Sequence, residues 1–290
     1  MIWQTTRHLI DLTQPRVMGI VNLTPDSFSD GGRYFSAAGA VSQALAHCEA
    51  LLRDGADILD IGGESTRPGA VPVPLYEELA RVLPVLHQAV TLGVPVSVDT
   101  YKPAVMQAAL DMGADIINDI WALRQPGAAQ VVAAHPSCGV CLMHMHREPL
   151  SMQAQPMTGD VLAQVKGFLA GRVTALTDSG VPPQRLVLDP GIGFGKTAAQ
   201  NFTLLARQKE LLTLGLPLLA GWSRKSSLAF AGGDSSGNAQ PPDRRVASVA
   251  AALLAIERGA RVVRVHDVRE TAQAREVWLA VRRQDPDGIV

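Results

Sequence analysis

MGIVNLTPDSFSDGG, residues 18–32, carries the pattern that decides the fold. An apolar run at 17–21 stops abruptly at Asn22 and gives way to a loop rich in Pro, Ser, Asp and Gly. A buried strand that delivers a functional group at its carboxyl end has this pattern. Because the Thr-Pro-Asp sequence at 24–26 cannot continue a strand, we expect the strand to end at Asn22 and the loop to extend over 23–36.

The same pattern recurs seven more times, and a helical stretch separates each strand from the next. Predicted strands occupy 17–22, 57–61, 95–99, 115–119, 139–143, 186–189, 217–222 and 262–266. Predicted helices occupy 37–53, 75–90, 102–112, 126–134, 159–178, 198–213, 244–258 and 269–283, and a further helix begins within 223–227. This alternation implies a parallel sheet, and eight units imply a closed α/β barrel, the (β/α)8 TIM barrel. The alternative, an open doubly wound sheet, usually has fewer strands and a dinucleotide-binding sequence at its first turn, which this sequence lacks.

The length of 290 residues permits two domains, but α/β barrels routinely form a single domain of about 200–250 residues. We expect a single domain over 1–290, in which 1–16 is a polar leading segment and 17–283 form the barrel. The N-terminus has no signal segment and no apolar run could span a bilayer, so we expect a cytoplasmic protein. Its three cysteines form no disulfide framework, which suits a reducing compartment. A net charge of -1 gives no support for binding nucleic acid or an anionic membrane.

Two short motifs look functional but fail on spacing. Cys138 and Cys141 have CxxC spacing, yet no second pair of cysteines completes a zinc set, so we expect buried thiols beside a strand. The sequence GIGFGKT at 191–197 looks like a phosphate-binding loop. Only three residues separate Gly191 from Gly195, however, where that loop requires four. We therefore predict neither a zinc site nor a P-loop nucleotide site.

Polar side chains stand at the carboxyl ends of the predicted strands, where α/β barrels carry their function. They are Asn22, Asp60, Asp99, Asn118, Asp189, Lys225, Arg264 and His266. Carboxylates accept paired N–H bonds, and lysine donates to a ring nitrogen or a carbonyl oxygen. The set therefore favours a heterocyclic ligand rich in both donors and acceptors.

A second group of residues suits a phosphate or pyrophosphate. It comprises Arg67, Arg264 and His266, with Asn22, Ser65 and Thr66 beside them. Arginine is favoured because its planar fork matches phosphate oxygens. The amide oxygen of Asn22 is a hard ligand, fit for a Mg²⁺ ion that bridges phosphates.

Seven motifs, in order along 17–283, resemble those of the dihydropteroate synthase family. They are NLTPDSFSDGG (22–32), DIGGESTRPGA (60–70), SVDT (97–100), GADIINDI (113–120), DPGIGFGK (189–196), SRKS (223–226) and RVHDV (264–268). The family joins 6-hydroxymethyl-7,8-dihydropterin pyrophosphate to p-aminobenzoate, giving 7,8-dihydropteroate and pyrophosphate in folate synthesis. The resemblance implies a pterin-binding transferase of an alkyl (pterin-methyl) group on a TIM barrel, with these small molecules as substrates, Mg²⁺ as cofactor and a homodimer as assembly.

Matched motif by motif, the resemblance also implies a role for each site residue. The pterin is expected against Asp60, Asp99, Asn118, Asp189, Lys225 and Arg264, with Asp189 and Lys225 on opposite edges. The pyrophosphate is expected against Asn22, Thr66, Arg67, Arg264 and His266, with Mg²⁺ on Asn22. The p-aminobenzoate is expected against Ser65, Pro68, Phe194 and Ser226. Ser226 is expected at a helix N-terminus, which suits the carboxylate of this substrate.

The chain departs from the family pattern in two places. HMHR at 144–147 stands where the family more often has His-Met-Gln-Gly. Gly221-Trp222 precedes the SRKS motif where a smaller run resembling Val-Gly-Val is common. Both departures are expected beside the pocket, where they affect its shape and not the class of reaction.

Our hypothesis for the mechanism is a dissociative substitution. Pyrophosphate leaves first, the exocyclic carbon becomes cationic by delocalisation into the pterin, and the arylamine then attacks that carbon. The residues expected to act catalytically are Asp99, Lys225, Arg67 and His266. Arg67 and His266, with Mg²⁺, are expected to stabilise the departing charge, and Asp99 the cationic pterin.

Three other functions compete with this hypothesis. Lys225 could form a Schiff base, as in barrel aldolases, but Arg224 beside it and the phosphate-type loops fit a pterin better. A pterin-binding methyltransferase on the same barrel needs no pyrophosphate site, so the TPDSF and STRPG sequences count against it. A non-catalytic pterin-binding protein would tolerate the loss of Arg67 or Asn22, and both are present.

Overall fold

Eight runs of branched apolar residues form the parallel strands of a closed barrel. The structure, a computed structural model, describes residues 1–24, 37–65, 69–148, 152, 154–232 and 243–284. The strands are β1 (Ile2–Gln4) and β2 (Leu9–Asp11), which form a separate hairpin, and the barrel strands β3 (Arg16–Asn22), β4 (Ile58–Gly62), β5 (Val96–Asp99), β6 (Ile116–Asp119), β7 (Gly139–Met143), β8 (Leu186–Asp189), β9 (Leu218–Ala220) and β10 (Ala260–Val265). Each barrel strand pairs with the next along the chain, and β10 pairs with β3. The predicted α/β barrel is confirmed.

A helix follows each barrel strand. The helices are α1 (Ala37–Arg53), α2 (Leu75–Ala89), α3 (Pro103–Asp111), α4 (Ala128–Ala134), α5 (Val161–Asp178), α6 (Ala198–Ala206), α7 (Arg245–Glu257) and α8 (Val268–Gln284). The helix predicted at 198–213 is wrong in its second half, where 208–214 form a 3-10 helix because the buried Gln208 side chain donates to carbonyls of α7 and its C-cap. A 3-10 helix over 226–232 likewise replaces the helix predicted to begin within 223–227. Within the described ranges, no helix has both the length and the apolar character that crossing a membrane requires.

The segment 1–16 is more structured than the polar leader predicted for it. Strands β1 and β2 pair antiparallel, with Trp3 opposite Ile10. Both side chains, with Leu12, are buried in one cluster with inward-facing residues of the barrel strands. The Trp3 indole N–H also donates to the carbonyl of Arg185 at 2.9 Å. The hairpin therefore closes the amino end of the barrel, and strands of three residues are too short for alternation to reveal them in sequence.

Inside the barrel, an apolar layer lies beneath a polar one. The apolar layer includes Met18, Ile58, Ile116, Cys141, Val187, Leu219 and Val262. Side chains along a strand alternate, so residues two positions further on face the same interior. Two positions after Ile58, Ile116, Val187 and Val262 stand Asp60, Asn118, Asp189 and Arg264, and Asp99 likewise follows Ser97. The strands thus carry a packed apolar floor and, nearer their carboxyl ends, a polar layer.

The two cysteines of the CxxC pair serve packing. All three cysteines of the chain are buried and free. Cys141 belongs to the cluster inside the barrel, whereas Cys138 belongs to the cluster between the barrel and its helices. The two thiols therefore face different layers, and the expectation of buried thiols beside a strand is confirmed.

Arg185 is a buried cation at the amino end of β8. Its side chain is 2% exposed. The guanidinium donates to the carbonyls of Cys138 at 2.6 Å, His135 at 2.9 Å and Val132 at 2.8 Å. Two of these carbonyls belong to the last turn of α4 and its C-cap. Arg185 therefore satisfies a helix C-terminus and joins it to β7 and β8.

Arg185→Leu should lower the stability of the fold. The change leaves three buried carbonyls without this donor. Each unsatisfied buried group costs about 1–3 kcal/mol, so we expect the free energy of unfolding to fall by at least about 3 kcal/mol in urea titrations. The control is Arg53→Leu, whose side chain is 70% exposed, and it should change the free energy by less than about 0.5 kcal/mol. Equal losses in the two variants would contradict the role given to Arg185.

Candidate active site

Arg264 joins two carboxylates across the interior of the barrel. Its Nε donates to Asp60 Oδ2 at 2.6 Å, and its Nη2 donates to Asp99 Oδ2 at 2.7 Å. Asn118 Nδ2 lies 3.3 Å from the same Asp60 oxygen. Asp60 is fully buried, and Asp99 and Asn118 nearly so. The structure therefore brings together four of the predicted residues, from β4, β5, β6 and β10, in one network.

The carboxyl oxygens of Asp60 and Asp99 outnumber the hydrogen bonds that the Arg264 guanidinium makes to them. Burial raises the pKa of Asp99 to about 7, and the neighbouring Asp60 adds to the rise while Arg264 opposes it. Burial disfavours the charge of Arg264, yet Asp60 and Asp99 together raise the pKa of its guanidinium. Two carboxyl groups share a single guanidinium here. The carboxyl oxygens that it does not engage can therefore accept N–H groups of a ligand.

Asp189 ends β8 and is held by the glycine-rich loop that follows. Its Oδ1 accepts the backbone N–H of Gly191 at 2.7 Å. Burial raises the pKa of Asp189, and both this N–H and the nearby Lys225 oppose the rise. The Nζ of Lys225 lies 4.3 Å from the centroid of the Phe194 ring. Because a Cβ at Gly193 would lie 3.2 Å from Lys225 Cδ, the glycine allows the lysine to pass close over the loop.

His266 follows β10 directly and shares a hydroxyl group with the loop after β9. Ser223 Oγ accepts the backbone N–H of His266 at 3.0 Å and lies 2.9 Å from its Nδ1. The hydroxyl can donate its proton to Nδ1 while it accepts the backbone N–H, and in that arrangement the ring proton is on Nε2. In this tautomer Nε2 can donate to an anionic ligand. The sequence motifs gave Ser223 no role, since its partner lies 43 positions away.

The other predicted residues lie around this centre or outside the described residues. Asn22 ends β3 and is half-buried, as is Ser65 in the loop after β4. Phe194 is buried beside Lys225. Ser226 is exposed and is the first residue of a helix, as expected, although that helix is a 3-10 helix. Thr66, Arg67 and Pro68 lie outside the described residues.

The two departures from the family pattern have different surroundings. Trp222 is 1% exposed and packs against Phe202 of α6, with 5.4 Å between ring centroids. It belongs to the cluster between the barrel and its helices, so its bulk affects that packing. His146 lies against the glycine-rich loop, because a Cβ at Gly195 would come 2.5 Å from the His146 carbonyl. Both departures therefore adjoin loops of the candidate site, since Trp222 directly precedes Ser223 and its carbonyl accepts the backbone N–H of Lys225 at 3.2 Å.

A charged network beside the site joins Glu64 of one motif to residues outside the motifs. Lys102 binds the carboxylates of both Glu64 and Glu78. Glu64 also accepts the hydroxyl of Tyr101 at 2.9 Å and the backbone N–H of Val73 at 3.1 Å. The network fastens the described ends of the loop after β4 to the loop after β5. Spacing could not reveal it, because its members come from three separate stretches of the chain.

Comparisons with known proteins agree with this geometry. The family model described as "Pterin binding enzyme" matches residues 18–266. The dihydropteroate synthase of Neisseria meningitidis serogroup C is 49% identical over 282 residues, which is 97% of each chain. The Xanthomonas albilineans dihydropteroate synthase solved with 4-aminobenzoic acid is 48% identical with a TM-score of 0.88, over 97% of this chain and 99% of that one. The Burkholderia cenocepacia enzyme complexed with 7,8-dihydropteroate is 47% identical with a TM-score of 0.86, over 99% of this chain and 98% of that one.

These enzymes are 47–49% identical to the chain over nearly its full length. The order of the motifs, the barrel topology and the acidic network inside the barrel agree with that relationship. The family match over 18–266 covers the strands and loops that carry the candidate site. The chain belongs to the pterin-binding enzyme family and, within it, to the dihydropteroate synthases.

Proposed function

We propose that this chain condenses 6-hydroxymethyl-7,8-dihydropterin pyrophosphate with p-aminobenzoate, giving 7,8-dihydropteroate and pyrophosphate. As a member of its family it is a pterin-binding transferase of folate synthesis. The observation that carries the proposal is the buried network of Asp60, Asp99 and Asn118 around Arg264. Its unengaged carboxyl oxygens suit a ring system that presents several N–H donors.

Asp189 and Lys225 suit opposite edges of the pterin. The aminopyrimidine edge carries adjacent N–H donors, which a carboxylate accepts as a pair. Asp189 accepts the N–H of Gly191 on Oδ1, so Oδ2 and the second lone pair of Oδ1 are left for the ligand. Lys225 would donate to the ring acceptors on the other edge. Asn118 supplies both a donor and an acceptor between them.

The pyrophosphate group suits the rim formed by the loops after β3, β4 and β10. The residues proposed to bind it are Asn22, Thr66, Arg67, Arg264 and His266. The Nε2–H of His266 and the arginine forks are donors that match phosphate oxygens. These side chains supply the protons of the hydrogen bonds themselves, so they can bind a fully ionised pyrophosphate.

Asn22 is the residue proposed to hold Mg²⁺. Among the described residues, no group of three or more His, Cys, Asp or Glu side chains could hold a metal ion. Mg²⁺ usually keeps several water ligands and binds few protein oxygens together with substrate phosphates, so a single hard oxygen of the chain suits it. The amide oxygen of Asn22, at the end of β3, fits that requirement. When bound, the ion would neutralise negative charge on pyrophosphate.

The p-aminobenzoate is proposed to lie between the Phe194 ring and the loop after β4. The aromatic ring of Phe194 offers a flat apolar contact, and the Lys225 ammonium above it offers a positive charge near Asp189. The exposed Ser226 hydroxyl would donate to the substrate carboxylate. Ser65 and Pro68 would complete this subsite. The amine of p-aminobenzoate would then face the exocyclic carbon of the pterin.

The residues act by orientation and electrostatics, and none needs to form a covalent bond. The bond between the exocyclic carbon and a pyrophosphate oxygen breaks, that carbon bonds to the arylamine nitrogen, and the nitrogen then loses a proton. Asp99 would stabilise the cationic pterin, while Arg67 and His266 would stabilise the departing pyrophosphate. Lys225 would hold the ring in place. Orientation of the two substrates can supply about 7–11 kcal/mol of the barrier.

A product assay tests the proposed function. Purified protein is incubated with the dihydropterin pyrophosphate and p-aminobenzoate, with and without Mg²⁺, and both 7,8-dihydropteroate and pyrophosphate are measured. We expect equal amounts of the two products and a strong dependence on Mg²⁺. Binding of the pterin without turnover would favour a non-catalytic protein, and methyl transfer from a pterin donor would favour a methyltransferase. Either result would overturn the proposal.

Asp99→Asn should slow the reaction and leave the fold intact. The amide keeps the shape of the side chain but loses the charge proposed to stabilise the cationic pterin. Loss of one such group costs about 10²–10³ in kcat, or about 2.7–4 kcal/mol. Steady-state kinetics measure the change, and far-ultraviolet circular dichroism checks the fold. The matched control is Asp178→Asn on the exposed end of α5, which should keep wild-type kcat; near-full activity of Asp99→Asn would refute the role.

The outer faces of α7 and α8 are proposed to form the interface of a homodimer. Four large apolar residues stand exposed there, namely Val246 at 82%, Leu254 at 45%, Val277 at 65% and Val281 at 62%. Val277 and Val281 are one helical turn apart, so they lie on the same face of α8. The two helices also pack against each other, so their apolar residues can form a common surface. Clusters of exposed apolar residues are typical of protein interfaces.

Val281→Glu should weaken the dimer. A charge placed in an apolar interface is costly to desolvate, so we expect the variant to elute as a monomer at concentrations where the wild type is dimeric. Analytical ultracentrifugation measures the mass. The control is Leu9→Glu on β2, at a side chain that is 72% exposed, which should leave the mass unchanged. A wild type that is monomeric, or a variant that stays dimeric, would contradict this interface.

A cytoplasmic location is proposed from the state of the cysteines. Cys48, Cys138 and Cys141 are free thiols in the structure. Free thiols persist where glutathione and thioredoxin keep them reduced. Burial also raises the pKa of each thiol, which protects them from oxidation.

A further inference from the structure

A buried lysine lies in the loop after β8, at the carboxyl end of the barrel. Lys196 is 2% exposed. Its Nζ lies 2.8 Å from the carbonyl oxygen of Gly191 and 3.1 Å from that of Phe194. It also lies 2.9 Å from Nδ1 of His144 and 3.3 Å from the carbonyl oxygen of the same residue. An ammonium has three N–H donors, so these four acceptors use all of them.

His144 can accept a hydrogen bond here because its ring is neutral. Burial, reinforced by the charge of Lys196, lowers the pKa of His144 to about 2. Nδ1 therefore keeps its lone pair at neutral pH. The ring packs edge-on against Phe168 with 4.9 Å between centroids, and the backbone N–H of His144 donates to the carbonyl of Asp189 at 2.9 Å. His144 thus joins the loop after β7 to both β8 and Lys196.

The loop 189–196 needs a cation because its backbone turns carbonyl groups inward. Gly191 and Gly195 have φ angles of +69° and +70°, in the left-handed region. A Cβ at Gly191 would lie 1.8 Å from the carbonyl oxygen of His144, so the two loops meet main chain to main chain. Carbonyl oxygens that converge on one point repel each other unless a positive charge lies between them. Burial lowers the pKa of Lys196 to about 7, and the nearby Asp189 opposes that fall. Four acceptors surround Nζ, which suits the ammonium form, so Lys196 can provide the charge from within the chain.

We propose that Lys196 is a positioning residue that sets both substrate subsites by acting as an internal cation. It holds the carbonyl of Gly191, whose N–H in turn binds Asp189 Oδ1 at 2.7 Å. It also holds the carbonyl of Phe194 and so fixes the main chain from which that ring projects. The inference rests on the proposed function, which assigns Asp189 to the pterin and Phe194 to p-aminobenzoate. With its donors used internally, Lys196 acts through these residues and not on the substrates.

The same loop is held from its other side by uncharged groups. The backbone N–H of Gly193 donates to Asn201 Oδ1 at 3.0 Å, and Asn201 Nδ2 donates to Ser227 Oγ at 2.8 Å. This chain of bonds joins the loop to the segment that follows Lys225. Loss of the Lys196 cation should therefore shift the loop without unfolding the barrel, which makes the effect measurable.

Lys196→Met is the test, and Arg185→Leu is its matched control. Both remove a buried cation that binds main-chain carbonyls, but Arg185 lies at the amino end of the barrel. In Lys196→Met we expect the KM of both substrates to rise and kcat to fall, because a misplacement of about 1 Å can cost about 10²-fold. The expected loss in kcat/KM is about 10- to 100-fold. Arg185→Leu should unfold at lower urea concentration and keep wild-type KM and kcat.

Two measurements test the positioning role of Lys196. Steady-state kinetics with each substrate varied in turn give the KM values and kcat, and urea unfolding gives the stability. Unchanged KM values in Lys196→Met, or equal changes in Arg185→Leu, would overturn the positioning role. If Lys196→Met does not fold, His144→Leu replaces it, since that variant removes the ring acceptor without supplying another and keeps the lysine and the carbonyls. It should raise the same two KM values by a smaller factor, and no change would overturn the inference.

The failure of the proposed function would be seen separately, in the wild type. A wild-type protein that makes no 7,8-dihydropteroate would refute the function, whatever the variants do. Calorimetric binding of a pterin to the wild type and to Lys196→Met then tests the positioning role by itself. A larger dissociation constant for Lys196→Met than for the wild type supports that role, and equal dissociation constants overturn it.

Discussion

Arg264 can lie in the interior of the barrel because two carboxylates balance it there. Asp60 and Asp99 come from neighbouring strands, and the guanidinium reaches both from β10. This contact exists only when the sheet closes, since closure places β10 beside β3 and hence near β4. The apolar layer beneath, with Ile58 and Val262 two positions earlier, excludes water from below and strengthens the charge pairing.

The positions of these groups could be predicted from the sequence because each follows the same pattern, an apolar strand that ends in a polar residue. Each polar residue ends an apolar run, and parallel strands present their carboxyl ends on one rim. The eight strands, the closure of the barrel and the meeting of Asp60, Asp99, Asn118 and Arg264 could all be predicted on that basis. Chain order alone was sufficient, because neighbours in the sequence of strands are also neighbours in the barrel.

The contacts that could not be predicted from the sequence are made by residues that belong to no periodic pattern. Trp3 reaches Arg185 across 182 positions, and Lys102 meets Glu64 across 38. Lys196 stood within a recognised motif, yet its partner His144 lies 52 positions earlier. Such pairs depend on how two loops approach in space, which no spacing rule describes. The 3-10 segment at 208–214 has the same origin, because the tertiary bonds of Gln208 override helical propensity.

The main-chain contact between Gly191 and His144 limits how the site can evolve. With 1.8 Å available for a Cβ, no other amino acid fits at Gly191 without moving a neighbouring loop. The N–H of that glycine also holds the carboxylate of Asp189 in place. An inhibitor anchored on the Asp189 carboxylate would therefore bind a group whose supporting loop cannot change at Gly191 without moving its neighbour. Resistance to such a compound would have to arise at the more exposed rim, where side chains can change without displacing the backbone.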